Sequence, residues 1–425
     1  MDNPQIQKAV INPDGRQYPL WAESWWVQEF LGGHKEVYRR GYDFAPPGSE
    51  AGVTPEKLSE GRSLTQLRER VDGLSDLFTK ERVEGFGQYA RDRKLLQAYG
   101  LFYFPQTFIR TRMVLSEIVK SGKWVAPTEK ISILDCGAGT GAAGLSAADF
   151  LNQTGARDIF LHAIDDSIQS MKLIQEFVSG TRKDWRGPSV KTTVADLSLP
   201  EQFARHGRRK YDVVIASFVM NEIYQGGEPQ KALEWCRNLL RLVSPNGVLL
   251  LMEPALKESA ERIEWIRDQF ALEGVGILGP CLHRDKCPLL SEGKYHCHEV
   301  RTWKPPESLQ LINRKLKRSV EQTLKFSFLA LQPGQIAREK GGFEHSFRMI
   351  SPWARGKGKW FTTGCNDQGV KAIYEIQSRD LPEKPEKQFA RIERGDIVCL
   401  TAEGVERKGD IYRIENIEAM KIIKP

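Results

Sequence analysis

A glycine-rich loop is the first segment whose composition could bind a ligand. The run from residue 133 to 141 reads Ile-Leu-Asp-Cys-Gly-Ala-Gly-Thr-Gly, follows an apolar strand pattern and precedes a helical pattern. Gly137, Gly139 and Gly141 let the backbone turn tightly and approach a ligand closely, and the amino terminus of a helix offers unpaired N–H groups. Asp135 stands directly before these glycines. The pattern predicts a nucleotide-type site here.

Two more carboxylates follow at predicted strand ends. Asp165 ends the second strand, about one βα unit after the loop, where a carboxylate can accept hydrogen bonds from both ribose hydroxyls. Asp196 ends the third strand and could meet an adenine amino group. A Rossmann-like fold with an empty or NAD-filled site is the alternative, but Asp135 before the glycines and Asp196 after the third strand favour a methyltransferase pattern.

The segment from about Ile131 to Glu253 resembles the class I methyltransferase motifs. This resemblance implies S-adenosyl-L-methionine (SAM) as the cofactor. It would be bound by Asp135, Gly137, Gly139, Gly141, Asp165 and Asp196. Asn221 and Glu222 follow the fourth strand, where such enzymes often place catalytic groups, although a helix start or structural hydrogen bonding explains them equally well. The segment matches neither the Asn-Pro-Pro-aromatic nor the Pro-Cys motif, so the reaction stays undetermined.

Three of the seven cysteines are concentrated between residues 279 and 298. An odd number of cysteines in a chain predicted to be cytoplasmic argues against a disulfide framework. Cys281, Cys287 and Cys297 are separated by five and nine residues, which matches neither zinc knuckles nor ferredoxin runs. Together with three histidines they still predict a metal site, with chance clustering of buried cysteines as the alternative. The neighbours of Cys136, Cys236 and Cys399 indicate packing residues.

The surrounding pattern predicts an α/β fold with a parallel sheet and crossover helices. We expect a helical amino-terminal region over residues 1–120, interrupted by Pro105 within its helical spacing. The methyltransferase-like domain should cover 121–335 and contain a cysteine-rich basic insert at 279–325. The rest, 336–425, shows short strands and Gly-rich turns that predict a small β-barrel or sandwich. The predicted strands of the main sheet are Ile131–Leu134, Ile159–Ile164, Lys191–Val194, Val213–Ala216, Val248–Met252, Val275–Leu278 and Phe326–Leu331.

The cysteine arrangement resembles the Rsm22 family, methyltransferase-like proteins of bacterial and mitochondrial small ribosomal subunits. The matching elements are Pro-Cys-Leu-His at 280–283, Cys-Pro-Leu at 287–289 and His-Cys-His at 296–298. Weaker similarities extend the resemblance from about Leu95 to Thr401, and the first ninety residues match faintly. The chain departs from the family pattern at Leu282 and at residues 295–296, and neither change removes a thiol.

This resemblance implies a four-iron, four-sulfur (4Fe-4S) cluster on Cys281, Cys287, Cys297 and a last thiol from the carboxy-terminal β region. Cys365 matches that last position. Four soft thiolates suit iron–sulfur or zinc, and His283, His296 and His298 keep zinc as the alternative.

Positive charge is unevenly distributed. The chain has 62 Lys and Arg against 55 Asp and Glu, whereas residues 301–360 have 13 Lys and Arg against four Glu, a local net charge of +9 that exceeds the +7 of the whole chain. Such an excess suits phosphate binding, although a solvated charged face is the alternative. The predicted RNA-binding residues are Arg314, Lys315, Lys317, Arg318, Arg355, Lys357 and Lys359.

We therefore expect a ribosome-associated, SAM-dependent methyltransferase-like protein that binds small-subunit rRNA and acts in subunit assembly or translation. The alternatives are a noncatalytic SAM-binding assembly factor and a small-molecule methyltransferase with a structural zinc ion. The amino terminus has no secretory or clear mitochondrial targeting pattern, which predicts a cytoplasmic protein without a membrane partner. We expect a monomer off the ribosome.

Overall fold

A computed structural model of the chain describes residues 16–31, 58, 62–79, 89–199, 209–224, 228–314, 316, 322–334, 345–415 and 417–424. The fold divides into two compact units that are discontinuous in sequence. Unit 1 comprises residues 1–113, 126–217 and 303–323, and unit 2 comprises 114–125, 218–302 and 324–425. The three domain boundaries predicted from the sequence stay a prediction.

Four parallel strands form the sheet of unit 1, in the order β3-β2-β1-β4. The nearly continuous burial of β1, β2 and β4 is typical of parallel strands covered on both faces, whereas the edge strand β3 is partly exposed along its length. All four match the predicted strands in position. The bounds are β1 Lys130–Cys136, β2 Asp158–Asp165, β3 Ser189–Val194 and β4 Tyr211–Ser217. The helices of this unit are α1 Leu20–Leu31, α2 Arg62–Thr79, the first part of α3 Arg93–Lys120, α4 Ala142–Gln153, α5 Ile168–Gly180 and α10 Glu307–Asn313.

An aromatic core holds α1 and α3 in unit 1. Trp26 is fully buried against Phe104, with ring centroids 5.2 Å apart. A Cβ atom at Gly100 would lie 2.1 Å from the Trp26 ring, so this close approach requires glycine. The predicted interruption at Pro105 is wrong, because α3 continues through it. Proline in a helix interior costs roughly 3 kcal/mol, and the burial of its neighbours Phe104 and Phe108 offsets that cost.

Unit 2 contains an antiparallel group of strands in which β8 pairs with β5, β6 and β7. The bounds of its elements up to β8 are α6 Met220–Ile223, α7 Pro229–Leu240, β5 Val243–Pro254, α8 Lys257–Leu272, β6 Gly276–Gly279, α9 Pro288–Glu292, β7 Glu299–Thr302 and β8 Thr323–Gln332. The antiparallel strand β8 is the predicted seventh strand, and the segment between β6 and β8 is the predicted insert.

The carboxy-terminal strands of unit 2 pair into one mixed sheet, in the order β14-β15-β12-β11-β9-β13-β16 with β10 paired to β11. The short strands predicted after residue 345 are confirmed. Their bounds are β9 His345–Met349, β10 Ala354–Gly356, β11 Lys359–Asn366, β12 Lys371–Gln377, β13 Ile397–Leu400, β14 Val405–Lys408, β15 Ile411–Ile414 and β16 Met420–Ile423, with a short helix α11 Glu386–Phe389.

No helix of the described ranges is long and apolar enough to cross a membrane.

Five buried charged side chains join distant segments of unit 2. Arg301 forms ion pairs with Glu299 at 2.6 Å, with Glu117 at 3.4 Å and with Asp396. Arg348 pairs with Glu299 at 2.8 Å and with Glu117. Each of the five side chains is at most 5% exposed. Burying a charge without a partner is expensive, so each member depends on the others.

Replacement of one member should destabilise unit 2 strongly. Arg301→Met would leave Glu299 and Asp396 without their shared cation, and we expect a loss of about 3 to 5 kcal/mol in the free energy of unfolding. Arg379→Met is the matched control, because the Arg379 side chain is 82% exposed, and its effect should stay within about 0.5 kcal/mol. Urea unfolding measures both, and equal midpoints for the two variants would contradict this account.

Candidate functional site

The glycine-rich loop of unit 1 connects β1 to α4 in a left-handed conformation. Gly137, Gly139 and Gly141 have φ values of 68°, 51° and 85°, which other residues adopt at a cost. The N–H groups of Gly137 and Ala138 donate to the carbonyl of Ile164 at the end of β2, at 2.9 and 3.0 Å. The loop is therefore fixed to the carboxyl edge of the parallel strands, where open α/β sheets bind ligands.

Asp135 and Asp165 organise this loop in different ways. Asp135 is 1% exposed and accepts the N–H of Gly144 at 2.8 Å, so its role is to hold the start of α4. Asp165 is half-buried and accepts the N–H groups of Gly139 at 2.8 Å and Ser167 at 3.0 Å. Burial raises the pKa of Asp135 to about 7 and that of Asp165 to about 6, against the opposing effect of these N–H donors.

The third predicted carboxylate, Asp196, lies at the same edge. Strand β3 pairs with β2 so that Val194 is opposite Asp165, and the N–H of Ala195 donates to the Asp165 carbonyl at 3.0 Å. The Asp196 side chain is exposed and accepts the N–H of Ser198 at 2.9 Å. The fold thus brings all six predicted cofactor-binding residues of unit 1 to one edge of its sheet.

Asn221 has a structural role in unit 2. Phe218 is the only non-glycine among the described residues with a positive φ, 63°. With its amide nitrogen facing this turn, Asn221 donates to the Phe218 carbonyl at 2.7 Å and to Glu253 at 3.2 Å. Glu253 also accepts the backbone N–H groups of Met220 and Asn221, at 3.0 and 3.1 Å. These contacts favour the structural interpretation of Asn221 over the catalytic one.

The four predicted metal-binding cysteines line one cavity of unit 2. Its volume is about 40 Å³, which is larger than the 10 to 15 Å³ that a single water molecule needs. Its other lining residues include His283, His298, Arg267 and Arg348. Cys281, Cys287 and Cys297 come from the insert, whereas Cys365 comes from β11, so the fold assembles the distant thiol with the others.

No group of three or more His, Cys, Asp or Glu side chains in the described ranges is arranged to hold a single metal ion. A tetrahedral zinc site needs sulfur atoms about 3.8 Å apart, given a Zn–S distance of about 2.3 Å. The four thiols therefore share a cavity without forming a ready-made zinc tetrahedron.

Three residues on one face of α8 fix the backbone of the insert. Asp268 accepts the Cys287 N–H with both carboxylate oxygens, at 3.0 and 3.1 Å, and Glu264 accepts the Cys297 N–H. Arg267 donates to the carbonyl groups of His283 and Asp285. These three residues were not among the predicted site residues, because α8 carries charges along much of its length and nothing in the sequence distinguishes the ones that face the insert.

Three other cations, the buried Arg348 and the half-buried Lys123 and Arg394, also donate to carbonyl groups beside the cysteines. Lys123 donates to Cys281 at 3.0 Å, and Arg348 donates to Pro280 at 2.7 Å. Arg394 donates to His296 at 2.8 Å and to His298 at 2.9 Å, one residue on either side of Cys297. Burial lowers the pKa of Lys123 to about 8. Cations thus hold the backbone on several sides of the thiol cavity, together with the carboxylates of Glu264 and Glu299 that also line it.

The other cysteines and histidines lie where the sequence suggested. Cys136, Cys236 and Cys399 are buried, as expected for packing residues. His283 is 3% exposed with its Nε2 atom 3.4 Å from the Cys365 sulfur, and burial followed by the charge of Arg267 lowers its pKa to about 4. His296 and His298 have ring centroids 4.8 Å apart.

Fewer of the basic residues can contact an RNA phosphate backbone than their number indicates. Arg301 and Arg348 belong to the buried ion network, and Lys359 pairs with Glu375. Arg355 is 74% exposed, and Lys357 lies exposed in the β10–β11 turn. Arg314 is exposed at the end of α10, whereas Lys315, Lys317 and Arg318 lie outside the described residues. The +9 excess of residues 301–360 therefore overstates the charge that a phosphate backbone could reach.

The fold and the loop define the class of protein. Unit 1 has the strand order 3-2-1-4 of a doubly wound sheet, a glycine-rich turn after the first strand and acidic residues at the carboxyl edge, as expected for a class I methyltransferase-like protein. The model of one family, described as mitochondrial small ribosomal subunit Rsm22, matches residues 93–373. The chain belongs to this family.

Solved methyltransferase structures are also similar to the chain. Magnesium protoporphyrin IX methyltransferase from Synechocystis with bound SAM is 15% identical and covers 67% of this chain and 100% of its own, with a TM-score of 0.32. A SAM-dependent methyltransferase from Agrobacterium tumefaciens is 16% identical, with coverages of 52% and 62% and a TM-score of 0.30. Precorrin-6y C5,15-methyltransferase from Geobacter metallireducens is 14% identical, with coverages of 51% and 86% and a TM-score of 0.27. A search of curated protein sequences found no match.

Proposed function

We propose that this chain is a small-ribosomal-subunit-associated, methyltransferase-like protein that binds SAM in unit 1 and a metal–thiolate group in unit 2, and that contacts small-subunit rRNA. The observation that carries the proposal is the family match over residues 93–373, which encloses the glycine-rich loop, all four cavity cysteines and the basic β10–β11 turn. Association with the small ribosomal subunit is inferred from the family description.

SAM suits the edge of the unit 1 sheet because each part of the cofactor has a partner there. Asp165 is half-buried and already oriented by two N–H donors, so it can accept the ribose hydroxyls. Asp196 is exposed next to it and can receive the adenine amino group. The glycine-rich loop allows the close backbone approach that the rest of the cofactor needs.

A 4Fe-4S cluster suits the cavity better than one zinc ion does. Each thiolate of such a cluster binds a different iron atom at a separate corner, so its sulfur atoms stand farther apart than around one ion. Four thiolates on a 4Fe-4S core carry net negative charge, and Lys123 donates to the Cys281 carbonyl beside the cavity, while Arg267 and Arg348 line it and are already paired with carboxylates. Cys281, Cys287, Cys297 and Cys365 would hold the cluster, which would supply structural cross-linking and electron-transfer capacity.

A noncatalytic assembly factor is the second candidate, favoured by the contacts of Asn221. Its amide and the Glu253 carboxylate hydrogen bond to the turn at Phe218, so both groups are engaged in local structure. In this alternative, SAM would stabilise a fold that binds the small ribosomal subunit without transferring a methyl group. The zinc-containing small-molecule enzyme has no comparable support. The cytoplasmic location stays a prediction.

Removal of the Asp165 charge should weaken cofactor binding. We expect Asp165→Asn to reduce the affinity for S-adenosylhomocysteine roughly 10- to 100-fold, the value of a hydrogen bond to a charged group. Because the pKa of Asp165 is about 6, the wild-type affinity should fall as the pH drops below that value and protonation removes an acceptor. Calorimetry at several pH values measures both effects. Asp158→Asn, at the opposite end of β2, is the control, and equal affinities of the two variants would place the ribose elsewhere.

Loss of one cavity thiol should release the metal group. Anaerobically purified wild type should contain about four iron and four sulfide per chain, and Cys365→Ser should lose much of both. Cys399→Ala should retain them, because Cys399 is buried outside the cavity. Elemental analysis that finds stoichiometric zinc without iron or sulfide would refute the cluster.

Reversal of the exposed charges in the β10–β11 turn should weaken RNA binding. If Arg355 and Lys357 contact phosphates, replacing both with glutamate should flatten the dependence of log affinity on log salt by about 0.7 to 0.9 per lost contact. Arg407→Glu with Lys408→Glu is the control, an equal charge change on the exposed β14–β15 hairpin. Filter binding with small-subunit rRNA at several salt concentrations measures the slopes, and the same slope in both variants would show that the first turn is only a solvated surface.

A further inference from the structure

A chain of hydrogen bonds runs from one cavity cysteine to another through α8. Asp268 accepts the N–H of Cys287, and Arg267 donates to Asp268 at 2.8 Å. Arg267 also faces Nδ1 of His283 at 3.4 Å, and Nε2 of His283 faces the Cys365 sulfur at 3.4 Å. The backbone of Cys287 and the sulfur of Cys365 are thereby connected although they are 78 positions apart.

The contact with Arg267 favours a proton on Nε2 of His283. A guanidinium group can only donate hydrogen bonds, so Nδ1 can meet Arg267 only as an acceptor. In a neutral imidazole this contact leaves the proton on Nε2. Once Cys365 is a metal-bound thiolate, its sulfur can only accept, and this requirement leads to the same tautomer.

The packing around His283 holds the ring in this orientation. Arg267 is 1% exposed and anchored by Asp268 and by the carbonyl groups of His283 and Asp285. On another side, a Cβ atom at Gly369 would lie 3.0 Å from His283 Nδ1, so this glycine, with a φ of 75°, leaves the space that the ring edge needs. The imidazole ring of His283 is therefore packed between α8 and the turn that follows β11.

We propose that His283 is a positioning residue rather than a metal ligand, and that its Nε2–H donates to the Cys365 thiolate of the bound metal group. This inference rests on the proposed metal–thiolate site. A hydrogen bond to a thiolate withdraws negative charge from the sulfur, which stabilises the reduced form of an iron–sulfur cluster and raises its reduction potential. His283 would also orient the one thiol that does not come from the insert.

Three variants of the full-length, anaerobically purified protein test this role. His283→Leu removes the donor, His283→Gln keeps an N–H close to the Nε2 position, and His296→Leu changes a histidine of the same insert that does not line the cavity. Iron and sulfide content and the reduction potential are measured for each.

We expect His283→Leu to retain the iron and sulfide of wild type. Reduction of the cluster should become about tenfold less favourable, which is a shift of about 59 mV to lower potential for a one-electron couple. His283→Gln should recover most of the shift, and His296→Leu should match wild type.

Distinct outcomes separate this inference from the proposed function. Wild-type protein without iron and sulfide would refute the cluster itself. A loss of iron in His283→Leu equal to that in Cys365→Ser would show that His283 is a ligand. An unchanged reduction potential in His283→Leu would show that no functional hydrogen bond exists. Either result overturns the inference. If His283→Leu fails to fold, nitrogen-15 NMR of the oxidised wild-type protein decides the matter, because a proton on Nδ1 of His283 would contradict the proposed donor.

Discussion

The high cost of burying charge governs the organisation of unit 2. Arg267, Arg301 and Arg348 are each at most 3% exposed, and such groups are tolerated only with close partners. Their partners are both carboxylates and backbone carbonyl groups, and several of those carbonyls flank the cavity cysteines. The hydrogen bonds that stabilise these buried arginines therefore also hold the backbone beside the cavity cysteines in position.

Helix α8 connects this electrostatic constraint with the cavity proposed to bind a metal group. A thiol loop without regular structure has many conformations, and fixing it costs roughly 1 to 2 kcal/mol per residue in backbone entropy. Asp268 and Glu264 fix the N–H groups of Cys287 and Cys297, and Arg267 fixes the segment between Cys281 and Cys287. Part of the ordering cost is thus met before a metal group binds, and a bound group would add the remaining cross-links.

The predicted ligand edge of unit 1 depends on backbone conformation and on carboxylates that accept backbone N–H groups. Three glycines there are in the left-handed region, and two aspartates are the acceptors. Asp135 holds the start of α4 through one carboxylate oxygen, and its contact with the cofactor stays a prediction, whereas Asp165 retains exposure and can meet a ligand. The family match covers both this edge and the thiol cavity, so a single chain combines a nucleotide-type site with a cysteine site.

The features that depend on local chemistry could be predicted from the order of the residues alone. Gly137 to Gly141, the strands of unit 1 and the short carboxy-terminal strands were all readable, because turn residues and apolar periodicity act over a few positions. The thiol set was readable only through the family resemblance, since Cys365 is 68 residues beyond Cys297. Even local rules failed at Pro105, where burial outweighed the cost of proline in a helix.

Only the tertiary structure decided which charges are buried and what they hold. Arg301 and Arg348 contributed to the +9 charge excess in the sequence but lie in the interior, and Asn221 hydrogen bonds to the turn at Phe218. Such roles depend on partners up to 231 positions away, as for Arg348 and Glu117. The identity of a residue restricts the interactions it can make, but the energy of a charge depends on its burial and partners, and these exist only once the chain has folded.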